Sequence, residues 1–197
     1  RKSAKAGDCT LSDGIRTLAE TGRMKAFDIE GEEWLDVDTP AMHGLAETLL
    51  YRRLTKPQDG PFARWLNRPI SLRVTRWLAE TPITPNQITL ALLVLGLVAA
   101  LLFATGGYWP MLVAAILFHA QSVLDGCDGE IARLKFMESR WGGVLDVVCD
   151  GVVTSAGLFG IGIGLARQMG QSVYAYLGLA CAVAALGCTS MFFVLVK

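Results

Sequence analysis

Four long apolar stretches in the second half of the chain limit the fold more than any other feature. They are residues 84–105, residues 109–131, residues 141–165 and the stretch from residue 173 to the end. Each has about the 20 apolar residues that a helix needs to cross a hydrocarbon core of about 30 Å. Charge is concentrated in residues 1–80 and almost absent from residues 83–125. The sequence therefore predicts an all-α integral membrane helical bundle over residues 83–197.

The polar front is predicted to be a small α/β segment. Residues 11–20 and 40–54 have the pattern of helices, and residues 24–29 that of a strand between them. Thr39 before Pro40 is a typical N-cap followed by proline in the first turn. We interpret residues 1–54 as the C-terminal remnant of a soluble domain.

Residues 55–82 are predicted to be a polar linker followed by an amphipathic juxtamembrane helix. Apolar residues recur at helical spacing: Phe62, Trp65, Leu66, Ile70, Val74, Trp77 and Leu78. Tryptophans with interspersed arginines favour a membrane interface. We expect Pro69 to interrupt the helix and Asn67 to cap its second part. An ordinary surface helix of a soluble domain is the alternative.

The charges of the connections predict the orientation in the membrane. The connection at residues 132–140 carries Arg133, Lys135 and Arg140, whereas residues 106–108 carry no charge. The positive-inside rule therefore places residues 1–82 and 132–140 in the cytoplasm, with Lys197 on the same side.

Four aspartates lie near the cytoplasmic ends of the second and third spans. Asp125 and Asp128 are three residues apart, Asp146 and Asp150 four, so each pair shares a helical face. One such carboxylate at a bilayer centre costs roughly 2.5 to 3.5 kcal/mol. Four of them facing one another would repel unless cations lay between them. Oxygen ligands favour Mg²⁺ or Mn²⁺, and we expect two ions.

Small residues and one arginine near these aspartates suit a phosphate-bearing substrate. Arg133 can pair with a phosphate, and the residues Gly126, Gly129, Ala132, Gly142 and Gly143 leave helix backbone open to a ligand. Close helix–helix packing is the alternative explanation of the glycines.

The ordered set of these residues resembles the signature of the CDP-alcohol phosphotransferase family. It reads Asp125-Gly-Cys-Asp128-Gly129-Glu-Ile-Ala132-Arg133, followed by Gly142, Asp146 and Asp150. The Thr84-Pro85-Asn86 segment with Thr89 is similar to the start of that family's first span. The resemblance covers residues 63–197 and implies six spans, of which this chain holds four. We therefore expect residues 1–197 alone to be inactive.

The resemblance also implies roles for individual residues. Metal ions would be bound by Asp125, Asp128, Asp146 and Asp150, and Asp150 would be the general base. The cytidine diphosphate would be held by Gly129, Ala132, Arg133 and Gly142. The reaction implied is displacement of CMP from a CDP-alcohol by a hydroxyl acceptor, which forms a phosphodiester. Lys197 is placed to bind an acceptor's phosphate, or is simply an anchor at the end of its helix.

Residues 31–40 are similar to the closing strand and helix of sugar-phosphate nucleotidyltransferases. This resemblance implies a bifunctional parent, a cytidylyltransferase fused to a phosphotransferase that uses CDP-inositol. A Thr–Pro helix start with acidic neighbours is the alternative explanation of these residues. CDP-diacylglycerol is the other candidate donor. We expect the bilayer as a partner, a homodimer as a possible assembly and no nucleic acid. An ion or proton transporter that uses the intramembrane carboxylates is the rival function.

Overall fold

The computed structural model describes residues 11–25, 35–54, 60, 65 and 67–195, without the side chains of residues 52, 53 and 192–195. The described residues contain eight α-helices and no β-strand. The helices are α1 (Leu11–Glu20), α2 (Pro40–Leu54), α3 (Arg68–Ala79), α4 (Pro85–Thr105), α5 (Tyr108–Leu124), α6 (Gly126–Leu134), α7 (Arg140–Met169) and α8 (Val173–Leu195). The chain divides into two compact units after Ala46.

The front unit confirms both predicted helices. The backbone N–H of Met42 donates to the Thr39 side chain at 3.3 Å, so Thr39 is the N-cap of α2. Met24 and Lys25 of the predicted strand lie outside any helix or strand, and residues 26–29 lie outside the described part of the chain. The interpretation of residues 1–54 as a domain remnant stays a prediction.

Four helices of the second unit are long and apolar enough to cross a membrane, as predicted. They comprise Pro85–Thr105, Tyr108–Leu134, Arg140–Met169 and Val173–Met191. The second of them is α5 and α6 in sequence. They join at Asp125, which keeps helical angles of φ −52° and ψ −38°. The segment that carries Asp125 and Asp128 therefore begins at a joint within one membrane-spanning segment.

The third membrane helix, α7, packs closely against its neighbours through glycines. A Cβ on Gly160 would collide with the Ala100 carbonyl oxygen of α4, and one on Gly164 with the Phe103 carbonyl oxygen. Gly162 meets Gly178 of α8 in the same way. Since lipid tails are as apolar as leucine, close packing of small residues is what holds membrane helices together. These contacts fix α7, and with it the third-span aspartates, against α4.

The juxtamembrane helix α3 buries polar residues. Ser71 and Thr75 are buried, whereas Trp65 is 81% and Trp77 68% exposed. Val74 and Leu78 pack on a small core of α4 and α6 residues, namely Ile88, Leu92, Cys127 and Ile131. Helix α3 begins at Arg68, which puts Pro69 in its first turn. The interruption at Pro69 stays a prediction, because most of the segment before it lies outside the described residues. The predicted cap is wrong, since the Asn67 side chain makes no capping hydrogen bond to a described residue.

Candidate active site

Three of the four aspartates meet between the second and third membrane helices. Carboxylate oxygens of Asp125, Asp146 and Asp150 lie within 4.8 Å of one another. Asp125 stands at the α5–α6 joint, while Asp146 and Asp150 are one turn apart on α7. Gln121 is buried one turn before Asp125, and its side chain lies close to the Asp150 carboxylate. Asp125 of the first predicted pair therefore faces both members of the second pair.

The fourth aspartate, Asp128, is held differently. One of its oxygens accepts a hydrogen bond from the Thr89 hydroxyl of α4, and the other accepts one from the backbone N–H of Gly129 at 2.5 Å. Asp128 is nevertheless close enough to act electrostatically on Asp125. It lies at the edge of the carboxylate cluster, with its orientation set by the first membrane helix.

A cavity of about 160 Å³ opens beside this cluster. Its lining includes all four predicted nucleotide-binding residues, Gly129, Ala132, Arg133 and Gly142, together with Asp128 and Asp146. Asp125 and Asp150 are not among the described residues that line it. Asp146 therefore belongs both to the carboxylate cluster and to the cavity.

Local contacts explain why small residues stand at this cavity. The Arg133 guanidinium lies 3.6 Å from the point where a Cβ of Gly129 would be. At the start of α7, Ser139 accepts a hydrogen bond from the Gly142 N–H at 2.9 Å and caps the helix. A Cβ on Gly142 would lie 2.9 Å from the Ser139 hydroxyl and 3.4 Å from the Asn86 side chain. Gly142 thus leaves room for the Ser139 cap, and Gly129 leaves room for the Arg133 guanidinium.

Sequence reasoning assigned no site role to several residues that the structure places here. Thr89 holds Asp128, and Pro85 and Asn86 line the cavity. The resemblance at residues 84–89 was the available signal, but it did not indicate what these side chains contact. Glu130 of α6 is fully buried. Nothing in its sequence context indicated this burial. Lys197 lies outside the described residues, and its assignment stays a prediction.

The carboxylate cluster fits a small divalent cation. An octahedral Mg²⁺ ion has oxygen ligands at about 2.1 Å, so that opposite ligands are about 4.2 Å apart. The separation of at most 4.8 Å between the three carboxylates is close to that span. An all-oxygen donor set also suits Mg²⁺ and Mn²⁺ better than softer metals.

Comparison with known proteins agrees with this geometry. Residues 82–197 match the family described as CDP-alcohol phosphatidyltransferase. That match includes the four aspartates, the cavity and all four apolar helices.

Several curated proteins are also similar to this chain. A protein of Thermococcus kodakarensis named bifunctional IPC transferase and DIPP synthase is 37% identical over 76% of this chain and 33% of its own length. One of Rubrobacter xylanophilus with the same name is 34% identical over 77% of this chain and 34% of its own. The archaetidylinositol phosphate synthase of Pyrococcus horikoshii is 34% identical over 47% of each chain. The chain thus spans about a third of the length of the first two relatives.

Proposed function

Because the chain belongs to the CDP-alcohol phosphatidyltransferase family, we propose that its parent protein transfers a substituted phosphate from a CDP-alcohol to a hydroxyl acceptor and releases CMP. The observation that carries the proposal is that Asp146 belongs to both the carboxylate cluster and the cavity lining. This residue joins a cluster of three carboxylates to a cavity that contains Arg133 and bare helix backbone. This arrangement provides a metal site with a phosphate site beside it.

The cavity is the proposed place for the cytidine diphosphate. Arg133 is its cationic side chain on α6, and guanidinium groups pair readily with phosphate oxygens. Gly129, Ala132 and Gly142 leave backbone accessible where a diphosphate has to come close. The hydrogen bonds from Thr89 and Gly129 hold Asp128 at this edge before any substrate arrives.

Asp125, Asp146 and Asp150 would hold one or two Mg²⁺ or Mn²⁺ ions, with Asp128 completing the set. When bound, such ions neutralise charge on the diphosphate and on the departing CMP. The ions would also relieve the repulsion among the three carboxylates, which lie within 4.8 Å of one another.

Asp150 is the proposed general base. It belongs to the cluster but not to the described lining of the nucleotide cavity, which suits a group directed at the acceptor. Its carboxylate takes the proton of the acceptor hydroxyl as that oxygen bonds to the phosphorus nearer the alcohol. The bond between this phosphorus and the CMP oxygen breaks, and CMP leaves with the electron pair. One phosphate stays in the product as a phosphodiester.

We assign inositol phosphate to the reaction, because two of the relatives are named for it. These are the archaetidylinositol phosphate synthase and the phosphatidylinositol phosphate synthase of Corynebacterium glutamicum. The donor is then either CDP-inositol or the lipid CDP-diacylglycerol. The site faces the cytoplasm, where nucleotides are available, as the charged 132–140 connection also indicates.

The test is CMP release by the full-length protein in membranes. Either CDP-inositol or CDP-diacylglycerol is offered with inositol phosphate and Mg²⁺, and Asp146→Asn is the inactive control. We expect CMP with one donor, dependent on inositol phosphate. If neither donor releases CMP with any hydroxyl acceptor of a panel, the proposed reaction is wrong. If CMP is released only with an acceptor other than inositol phosphate, the proposed acceptor is wrong.

A further inference from the structure

Glu130 is a fully buried carboxylate on the side of α6 that faces away from the cavity. Its side chain is 0% exposed and accepts three hydrogen bonds. The donors are Arg68 Nη1 at 2.5 Å, the Ser71 hydroxyl at 3.0 Å and the Thr75 hydroxyl at 2.6 Å. All three donors belong to the juxtamembrane helix α3, and they lie three and four residues apart on one of its faces.

Further contacts hold the same two helices together. Arg68 Nη1 lies 3.4 Å from the point where a Cβ of Gly126 would be, so a residue without a side chain lets the guanidinium approach α6. The Cys127 thiol lies 3.6 Å from the Ser71 carbonyl oxygen. Just past the end of α6, the Lys135 ammonium donates to the carbonyl oxygens of Thr81 and Ile83. Helix α6 is thus attached to the α3 region at both ends.

The direction of Glu130 connects this network to the cavity. Successive residues of a helix are about 100° apart, so Asp128 and Ala132, two residues to either side, point about 200° away from Glu130. Both of them line the cavity. The contacts of Glu130 fix the rotation of α6 about its axis. They therefore also determine that Asp128 and Ala132 face the cavity.

Stability alone gives a weak reason for a buried ion pair. Apolar residues of similar volume often stabilise a fold as well or better, while directed polar contacts can select one arrangement over others. We propose that Glu130 and Arg68 are positioning residues, which hold α6 in one rotation and so aim Asp128 and the cavity backbone at the CDP-alcohol. The effect on turnover rests on the proposed function, whereas the attachment of α6 to α3 does not.

The native Cys127 provides a readout that needs no activity. It belongs to α6, is 1% exposed and contacts the Ser71 carbonyl oxygen of α3. In the full-length protein in detergent, with every other cysteine replaced, its labelling by N-ethylmaleimide measures how often the two helices separate. Arg68→Gln, Glu130→Gln and the double variant are compared with Arg167→Gln. Arg167 is a matched control, because it also loses a hydrogen bond between helices, to the Ala104 carbonyl oxygen, at a place remote from α6.

We expect Cys127 to label at least about tenfold faster in both single variants, because breaking a buried ion pair favours local opening. CMP release should fall by at least about tenfold through a higher KM for the CDP-alcohol, since small misplacements of a site are costly. A merely smaller folded fraction would lower kcat and leave KM unchanged. The double variant should lose less than the two single effects combined, because the Arg68–Glu130 ion pair is already broken in each single variant.

Several results would overturn the proposal. Faster labelling with unchanged KM means that the network only stabilises the fold. Lost turnover with unchanged labelling means that one of the two residues acts on the substrate directly. If the wild-type protein releases no CMP, the proposed function fails, and the labelling alone then supports or refutes the attachment of α6.

Discussion

The Thr89 hydroxyl of the first membrane helix donates a hydrogen bond to the Asp128 carboxylate of the second. The Asp128 side chain is 7% exposed, so this donor replaces one that water would otherwise supply. The link explains how the segment at residues 84–89, which carries no charge, becomes part of a site built from charged residues. It also yields the first prediction.

Replacing Thr89 with valine should weaken the site without altering its shape. The isosteric side chain cannot donate to Asp128, and hydrogen bonds to charged groups contribute about 1.5–3 kcal/mol. We expect kcat/KM for CMP release to fall by about tenfold to a hundredfold. Thr89→Ser keeps the hydroxyl and should stay close to wild type. A loss in Thr89→Ser with near-normal turnover in Thr89→Val would show that packing of the threonine methyl group matters, not the hydrogen bond.

Asp150→Asn should nearly eliminate turnover while CDP-alcohol binding remains. An amide keeps the size of the side chain but cannot take the proton of the acceptor, and loss of a general base typically costs about 10² to 10⁴ in rate. Steady-state CMP release together with equilibrium binding of the CDP-alcohol measures both effects. Asp125→Asn is the comparison, and should weaken metal and nucleotide binding together. Near-normal turnover of Asp150→Asn would disprove the assignment of the base.

Removal of divalent metal should abolish activity. The three clustered carboxylates require cations to balance their charge when a diphosphate is bound beside them. Excess chelator should stop CMP release, and Mg²⁺ or Mn²⁺ should restore it. Binding of Mn²⁺ alone, followed by electron paramagnetic resonance, should be weaker in Asp146→Asn and unchanged in Asp36→Asn, an exposed acid of the front segment. Full turnover in chelator would refute the metal site.

Gly160→Ala should destabilise the bundle. Its new methyl group would collide with the Ala100 backbone carbonyl, which cannot rotate away, so α4 and α7 must separate slightly. Overpacking of this kind typically costs about 1–3 kcal/mol. Thermal unfolding in detergent gives the measurement. Gly187→Ala of α8 is the control, because its methyl group meets no described atom within 4 Å, and its Tm should be unchanged or slightly higher.

The proposed orientation can be tested with single cysteines in right-side-out vesicles, in a background without native cysteines. Phe136 in the charged connection is 92% exposed, and Gln171 between α7 and α8 is also exposed. With residues 132–140 in the cytoplasm, Gln171→Cys should react with an impermeant thiol reagent and Phe136→Cys should react only after lysis. The opposite pattern would place the site outside.

The membrane helices could be predicted from sequence because their signal is local. About 20 consecutive apolar residues suffice to indicate a span, whatever the rest of the chain does. The spacing of the aspartates placed each pair on one helical face, since that depends only on helical periodicity. The helices of the front segment followed from local signals as well, such as the Thr39-Pro40 start of α2.

The rotation of each helix was decided only by the tertiary structure. In a membrane, residues that face lipid and residues that face protein are both apolar, so hydropathy does not indicate which side packs inward. The glycine contacts of α7 with α4 and α8 set that rotation here. They bring Asp125, Asp146 and Asp150 together, while Asp128 turns toward Thr89.

The same reason explains why α3 was only partly understood from its sequence. Its tryptophans and arginines indicated an interfacial helix, but the partner of its polar face lies 55 residues or more away along the chain, in Glu130. A buried charge becomes acceptable only when its donors are in place. The sequence by itself determined which segments are helices and which residues are candidates for the chemistry. The packing of those helices decided which of these residues meet.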